Sequence, residues 1–240
     1  MEEKVSRDAQ EPSKGNGKTP PAEKLKNIRH FTSVENLCLI LKNGLRMGDA
    51  RNWEDKNDSY GIQRYAELQN GKKVLVLCFC ATTGNVHHWK SLKSQKGLMC
   101  AIGIRKDDFY KYIWEFFNHG GDDVIQEPRF VIYCKNSEIQ NNKIEDLPYL
   151  KKSEYKIERE IRILYVGEKT DVYIPNIKEY IEYVIIDSSN LELYQLAKET
   201  LVERYGIDKS KIRGNGFSNS QIWQQNVDAL IANSKSYIDL

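Results

Sequence analysis

Residues 155–166 read YKIEREIRILYV. Written as an extended chain, this stretch puts Glu158, Glu160 and Arg162 on one face and Ile157, Ile161 and Ile163 on the other, with Arg159 out of step, because side chains alternate along a strand. A rise of about 3.3 Å per residue then sets Glu158 and Glu160 about 7 Å apart on the same side. Two carboxylates so placed can converge on a ligand. The same pattern also suits an outward-facing strand whose Glu and Arg pair weakly in water.

Outward from this stretch, several apolar runs have strand length: LKNIRHFTS (25–33), VLVLCFCA (74–81), LMCAIGI (98–104), PRFVIYC (128–134) and YIEYVIID (180–187), with DVYIPNI leading into the last. Helical spacing is read in four places. Ser33 caps SVENLCLILKNGL, which carries a stripe of Leu37, Ile40 and Leu41 and stops at Gly44. A short helix is expected over Ile62 to Leu68. KDDFYKYIWEFFNHG (106–120) places Phe109, Ile113, Phe116 and Phe117 on one face, and NLELYQLAKETLVERY (190–205) turns Leu193, Leu196, Ala197 and Leu201 inward.

KIRGNGFSN suggests a further short strand and a turn, followed by a terminal helix. Between these elements, LRMGDARNWEDKNDSYG (45–61) reads as a polar loop around Trp53, and TTGNVHHWKSLKSQKG (82–97) as a loop or short helix. No repeat and no regular strand-helix alternation occurs. The expected class is therefore α+β with a mixed or antiparallel sheet and flanking helices, rather than a doubly wound fold.

At 240 residues the chain can bury one substantial core. Residues 1–24 are polar and rich in Gly, Pro and Lys, which predicts a flexible arm ahead of a single domain over 25–240. With 36 basic and 34 acidic side chains the overall charge is near balance. From Gly71 to Lys106, however, seven Lys or Arg occur and no Asp or Glu, a local field suited to an anionic partner such as a nucleic acid.

The five cysteines are odd in number, sit mostly in apolar runs and lack CxxC spacing, so they read as reduced core thiols of a cytoplasmic protein. They offer no metal-ligand set, and no metal is expected. The charged N-terminus lacks signal-peptide character, and no apolar run approaches the roughly 20 residues of a membrane span.

Motifs narrow the chemistry. GxSxG, GxGxxG and GxxxxGK[ST] are all missing, which removes the best support for a serine hydrolase, a dinucleotide fold or a P-loop. Cys80 lies in a buried-looking run without an activating base and reads as inert. Of the four histidines, His30 shares a strand face with Thr32, and both can hydrogen-bond one ligand; a structural histidine at a strand end is the alternative. Adjacent His87 and His88 make a poor metal pair on a strand, and His119 suits a helix C-terminus.

Taken in order, HFT at 30–32, a helix ending in NGL, WEDKND, CFC, HHW and IEREIR resemble a family of uncharacterised bacterial proteins. That family reads His-Tyr-Thr, Asn-Asp-Pro-Phe-Glu, Cys-Phe-Ser, Met-Trp and Glu-Lys-Glu-Trp-Arg, and is similar to the ADP-ribosyltransferase superfamily over about residues 28–190. The sequence departs from it at Lys56, Cys80 and Leu92.

The resemblance implies a split mixed or antiparallel sheet and NAD as co-substrate. It also implies Glu160 as the catalytic carboxylate with Glu158 as its partner, and a cofactor site at His30, Phe31 and Thr32. The nicotinamide-stacking aromatic is then Phe79 or Trp89, and Arg162, Lys93 and Arg51 are substrate or supporting cations. An acceptor in DNA or RNA, a toxin or antiviral-defence role and a neutralising antitoxin protein are implied by analogy. A protein acceptor, NAD hydrolysis and a non-enzymatic binding module remain alternatives.

Overall fold

The structure is a computed structural model that describes residues 25–82, 89, 97–117, 123–216 and 221–235. The expected arm at 1–24, His87, His88, Lys93 and His119 lie outside the described residues.

Nine strands form the main sheet among the described residues. Its central strands are β1 (Asn27–Ser33), β4 (Lys73–Cys80), β5 (Met99–Arg105), β10 (Glu160–Gly167) and β12 (Ile181–Ile186). β13 (Ile212–Gly214) and β6 (Val124–Ile125) close its edges, in the order β13, β12, β5, β1, β4, β10, β6. Only the β12–β13 pair within it is parallel, so the sheet is mixed and mostly antiparallel, as the lack of strand-helix alternation predicts. β3 (Gly48–Asp49) adds to the sheet on β4 and β7 (Arg129–Phe130) on β10, while two separate pairs join β2 (Leu45–Arg46) to β11 (Tyr173–Ile174) and, in parallel, β8 (Ile132–Cys134) to β9 (Leu150–Lys152). The run PRFVIYC is thus two pieces, with Arg129–Phe130 on the main sheet and β8 off it.

The sheet is covered on both faces. Helices α1 (Val34–Asn43), α3 (Lys106–Phe117) and α4 (Leu191–Glu203) pack Leu37, Phe109, Ile113 and Leu201 onto Ile28, Ile102, Phe79, Ile161 and Ile163. On the other face, α2 (Lys56–Glu67) sets Ile62 and Tyr65 against Val74, Val76, Leu164 and Val166, with Tyr149 completing the layer. Ser33 caps α1 by accepting from the Asn36 amide at 3.1 Å, and Gly44 ends it at φ 97°.

Four local expectations are corrected. First, the strand at 155–166 begins at Glu160: Ser153–Glu158 form a 3₁₀ turn, and Arg159 takes the left-handed conformation at φ 47° that ends it. Alternation therefore fails before Glu160, and Ile157, expected inward, is 53% exposed. Second, the strand does not face outward. All eight of its residues are buried, Arg162 completely, because β10 pairs with β4 along its whole length.

Third, α2 starts at Lys56 and not at Ile62, because the Asp55 carboxylate accepts from the amides of Asn57 and Asp58 and nucleates the helix early. Fourth, the inward faces of two helices are narrower than expected. Phe116 on α3, and Leu193 and Leu196 on α4, are largely exposed, while Ala197 and Leu201, one turn apart, make the α4 contact. All five cysteines are free thiols. Among the described residues no helix is long and apolar enough to cross a membrane.

Candidate active site

Cross-strand register aligns Arg29, Cys80 and Glu160 in one row over β1, β4 and β10, so their side chains leave the sheet on the same face. Two residues further along β10, Arg162 opposes Cys78 on that face. β1 and β4 pair only at Arg29 and Cys80, whereas β1 runs fully paired with β5. Where β1 and β4 part, a crevice of about 310 Å³ opens, walled by β1 residues Arg29 to Phe31, by β4 residues Cys78 to Cys80, and by Glu158 and Glu160.

The carboxylates are gathered by two cations. Arg162, fully buried, donates through Nε to Glu160 Oε1 at 2.7 Å, through Nη2 to Asp58 Oδ2 at 2.6 Å and through Nη1 to the Pro148 carbonyl at 2.8 Å. Lys151 Nζ lies 2.7 Å from Glu158 Oε2, 2.9 Å from Glu160 Oε2 and 3.3 Å from Asp58 Oδ2. Glu158 thus meets Glu160 through a shared ammonium, folded back by the 3₁₀ turn and not carried on a common strand face. The start of β10 is further fixed by the Tyr133 hydroxyl, which accepts from the Glu160 amide at 2.8 Å, and by the Val131 amide, which donates to the Glu160 carbonyl at 3.0 Å.

These contacts set the ionisation. Burial would raise the Glu160 carboxyl, but Arg162 and Lys151 outweigh it and hold it at about 2. Burial likewise works against the charge on Lys151, yet the Glu160, Asp58 and Glu158 carboxylates raise its pKa. Glu160 is therefore a fixed anion at neutral pH and not a proton shuttle. Of the three carboxylates gathered here Glu158 is the most open to solvent, its side chain being 24% exposed against 9% for Glu160 and 4% for Asp58.

His30 springs from the face opposite Arg29 and Glu160, as alternation along β1 requires. Its ring stands edge-on to Phe79 with centroids 5.9 Å apart, and its Nδ1 lies 3.0 Å from the Cys78 carbonyl. A carbonyl only accepts, so Nδ1 carries the proton and Nε2 is the acceptor nitrogen. Burial lowers the imidazole pKa and outweighs the carbonyl's pull, keeping the ring neutral. Imidazole and carboxylates thus line one crevice from opposite faces of the sheet.

The remaining expected residues divide. Phe31 and Phe79 line the crevice. Thr32 is buried and, together with His30, lines a different cavity with Asn36 and Leu39. Trp89 is 3% exposed, edge-on to Phe31 at 5.5 Å, in a small core with Met99, Ala101 and Ile185. Arg51 is exposed, bound to Asp49 and away from the crevice. Arg162 is a supporting cation and not a surface contact. Burial raises the thiol pKa of both Cys78 and Cys80, which leaves them protonated and inert.

Sequence reasoning missed Asp58, Lys151 and Trp53. Trp53 lines the crevice, and the Arg162 guanidinium lies 5.3 Å from its ring centre. Asp58 stands in the quoted WEDKND segment, where reading Asp55 as an N-cap would have placed it on the first turn of a helix. Nothing in the LKKSEY segment signals Lys151. Scanned against protein-family models the chain matches none, and no curated protein matches it either.

Proposed function

We propose that the protein is an NAD-dependent ADP-ribosyltransferase whose reaction takes place over Glu158 and Glu160. The observation that carries this reading is the convergence of the Asp58, Glu158 and Glu160 carboxylates on a crevice walled by Phe31, Trp53 and Phe79. Nicotinamide in NAD is a cationic aromatic ring, the class of ligand that aromatic walls and a carboxylate favour. The volume of about 310 Å³ lies at the lower end for small-molecule sites and suits the nicotinamide ribose half, with the remainder of NAD along the open side.

In the reaction the bond between ribose C1′ and the nicotinamide nitrogen breaks, and its electron pair neutralises the ring. The acceptor's lone pair then bonds to C1′, and its proton leaves. Positive charge builds on the ribose in between, as in glycoside cleavage, and a preorganised anion stabilises it. Glu160, ionised down to about pH 2, suits that electrostatic role. Glu158, the more exposed carboxylate, is the group that orients the acceptor and takes its proton. Arg162 and Lys151 hold the pair, and neutral His30 offers Nε2 to a ribose hydroxyl.

The resemblance to a bacterial branch of the superfamily supports a cytoplasmic toxin or defence effector, with a nucleic-acid acceptor and a neutralising protein partner. A second reading is favoured by one observation: both Glu160 oxygens already accept from Arg162 or Lys151, as in a purely structural ion cluster of a binding module. Biotin-tagged NAD offered with RNA, DNA or cell extract separates the two. Labelling of any acceptor that fails with Glu160→Gln supports transfer, and the lack of labelling with all three supports the binding module.

A further inference from the structure

A second cavity, of about 450 Å³, lies beside the crevice, between the first turns of α2 and the 134–152 stretch. The two share Asp55, Asp58 and Lys151 as their common wall. Their linings differ in sign. Arg29 and Lys151, with Arg162 buried behind them, face Asp55, Asp58, Glu158 and Glu160 in the crevice, three cations against four carboxylates. Lys56, Lys151 and Lys152 face Asp55 and Asp58 in the second cavity, three minus two. A cation-attracting site thus adjoins an anion-attracting one.

The walls of the second cavity are those a heteroaromatic base needs. Tyr60 is 64% exposed and Ile139 45% exposed, so apolar surface stands open to solvent at its mouth, and Leu147 and Leu150 line the interior. The side-chain amides of Asn57 and Asn136 offer both donors and acceptors to a base edge. Asp58, on the wall shared with the crevice, adds spare acceptor capacity. Its side chain is 4% exposed, Oδ2 accepts from Arg162, and Oδ1 is buried without a hydrogen-bond partner. A buried carboxylate oxygen left unfilled calls for a donor.

We infer that this cavity binds one nucleotide of a single-stranded nucleic acid, with the base between Tyr60 and Ile139 and the phosphates toward Lys56 and Lys152. On the transferase reading above, from which it takes its role, it is the acceptor site: a base N–H presented across the Asp58 wall loses its proton to Glu158 as its nitrogen bonds to C1′ and nicotinamide departs. An unpaired strand fits because a base held in a duplex cannot enter such a cavity without being extruded. The lining excess of lysine disfavours an arginine-bearing peptide, the competing occupant.

The test is fluorescence anisotropy of end-labelled single strands, DNA and RNA, with the full chain and without NAD. Binding of at least one strand is expected, weakened by salt, with about a tenfold loss in Tyr60→Ala, the range of one base–aromatic stack. Ile139→Glu and Lys152→Glu, both at the cavity, are expected to weaken it similarly. Strands that do not bind, variants that bind as the unmodified protein does, or an arginine-rich peptide that binds in a Tyr60-dependent way where strands do not, would each overturn the inference. Because NAD is absent from the assay, failure of the transferase reading shows separately, as lack of nicotinamide release by a protein that still binds the strands.

Discussion

Arg162 donates through Nε to Oε1 of Glu160 over 2.7 Å, with the arginine wholly buried and the glutamate side chain 9% exposed. Two charges taken out of water are tolerable only together. Arg162→Met would strand Glu160 and Asp58 as buried anions, and urea unfolding should show a loss of about 3–5 kcal/mol. Restoring neutrality in Arg162→Met with Glu160→Gln should recover part of it; a double variant as unstable as the sum of the two singles would show that the pair is not coupled.

Acid dependence follows from the same pair. Glu160 is held at about 2 against an ordinary 4.5, so the unfolded chain takes up this proton first as acid is added. Its stabilisation is complete above pH 4.5 and is lost as pH falls towards 2. His30, lowered from 6.5, adds a loss of the same sign that begins earlier: below pH 6.5 the unfolded chain binds the proton and the partly desolvated ring resists it. Urea midpoints measured from pH 8 to 3 should decline from about pH 6.5 and again below 4.5, and Glu160→Gln should shrink the second limb and leave the first, the remainder coming from other carboxyls held low, such as Asp123 and Asp146.

Lys151 bridges three carboxylates, and its charge is one reason that Glu160 stays ionised in acid. In Lys151→Met the folded-state Glu160 carboxyl should rise by about 1–3 pH units, the usual effect of losing one adjacent opposite charge, so the second limb should keep its onset near 4.5 and become shallower. A limb of unchanged depth would assign the ionisation of Glu160 to Arg162 alone.

Gly103, on β5, lies under the Tyr183 ring, and a Cβ there would fall 2.3 Å from two ring carbons. Gly103→Ala should cost about 1–3 kcal/mol by overpacking, read as a lower thermal midpoint. The substitution Gly71→Ala is the comparison: nothing lies within 4 Å of a Cβ there, and its cost comes only from φ 85°.

Much of this architecture was legible because local signals agreed with the whole. The run VLVLCFC, the Ser33 cap and the break at Gly44 each mark an element that the structure contains. The site was legible only in part. Glu160 and Arg162 stand on a true strand face, but one left-handed residue, Arg159, undid the alternation that placed Glu158 beside them. Glu158 returns to the cluster through Lys151, a contact between β9 and the turn after it that no period in the sequence encodes. Thr32 shares a face with His30, as read, and the two line one cavity, while of the two the crevice between β1 and β4 is lined by His30.

Release of nicotinamide tests the central claim most directly. The protein is incubated with NAD labelled in the nicotinamide ring, with DNA, RNA or cell extract as acceptor, and free nicotinamide is quantified for the unmodified chain and for Glu160→Gln. Release above the protein-free blank, falling about a hundredfold or more in Glu160→Gln while far-ultraviolet circular dichroism is unchanged, is the predicted result. No release with any acceptor, or equal release from the variant, would contradict the assignment of this crevice to NAD cleavage.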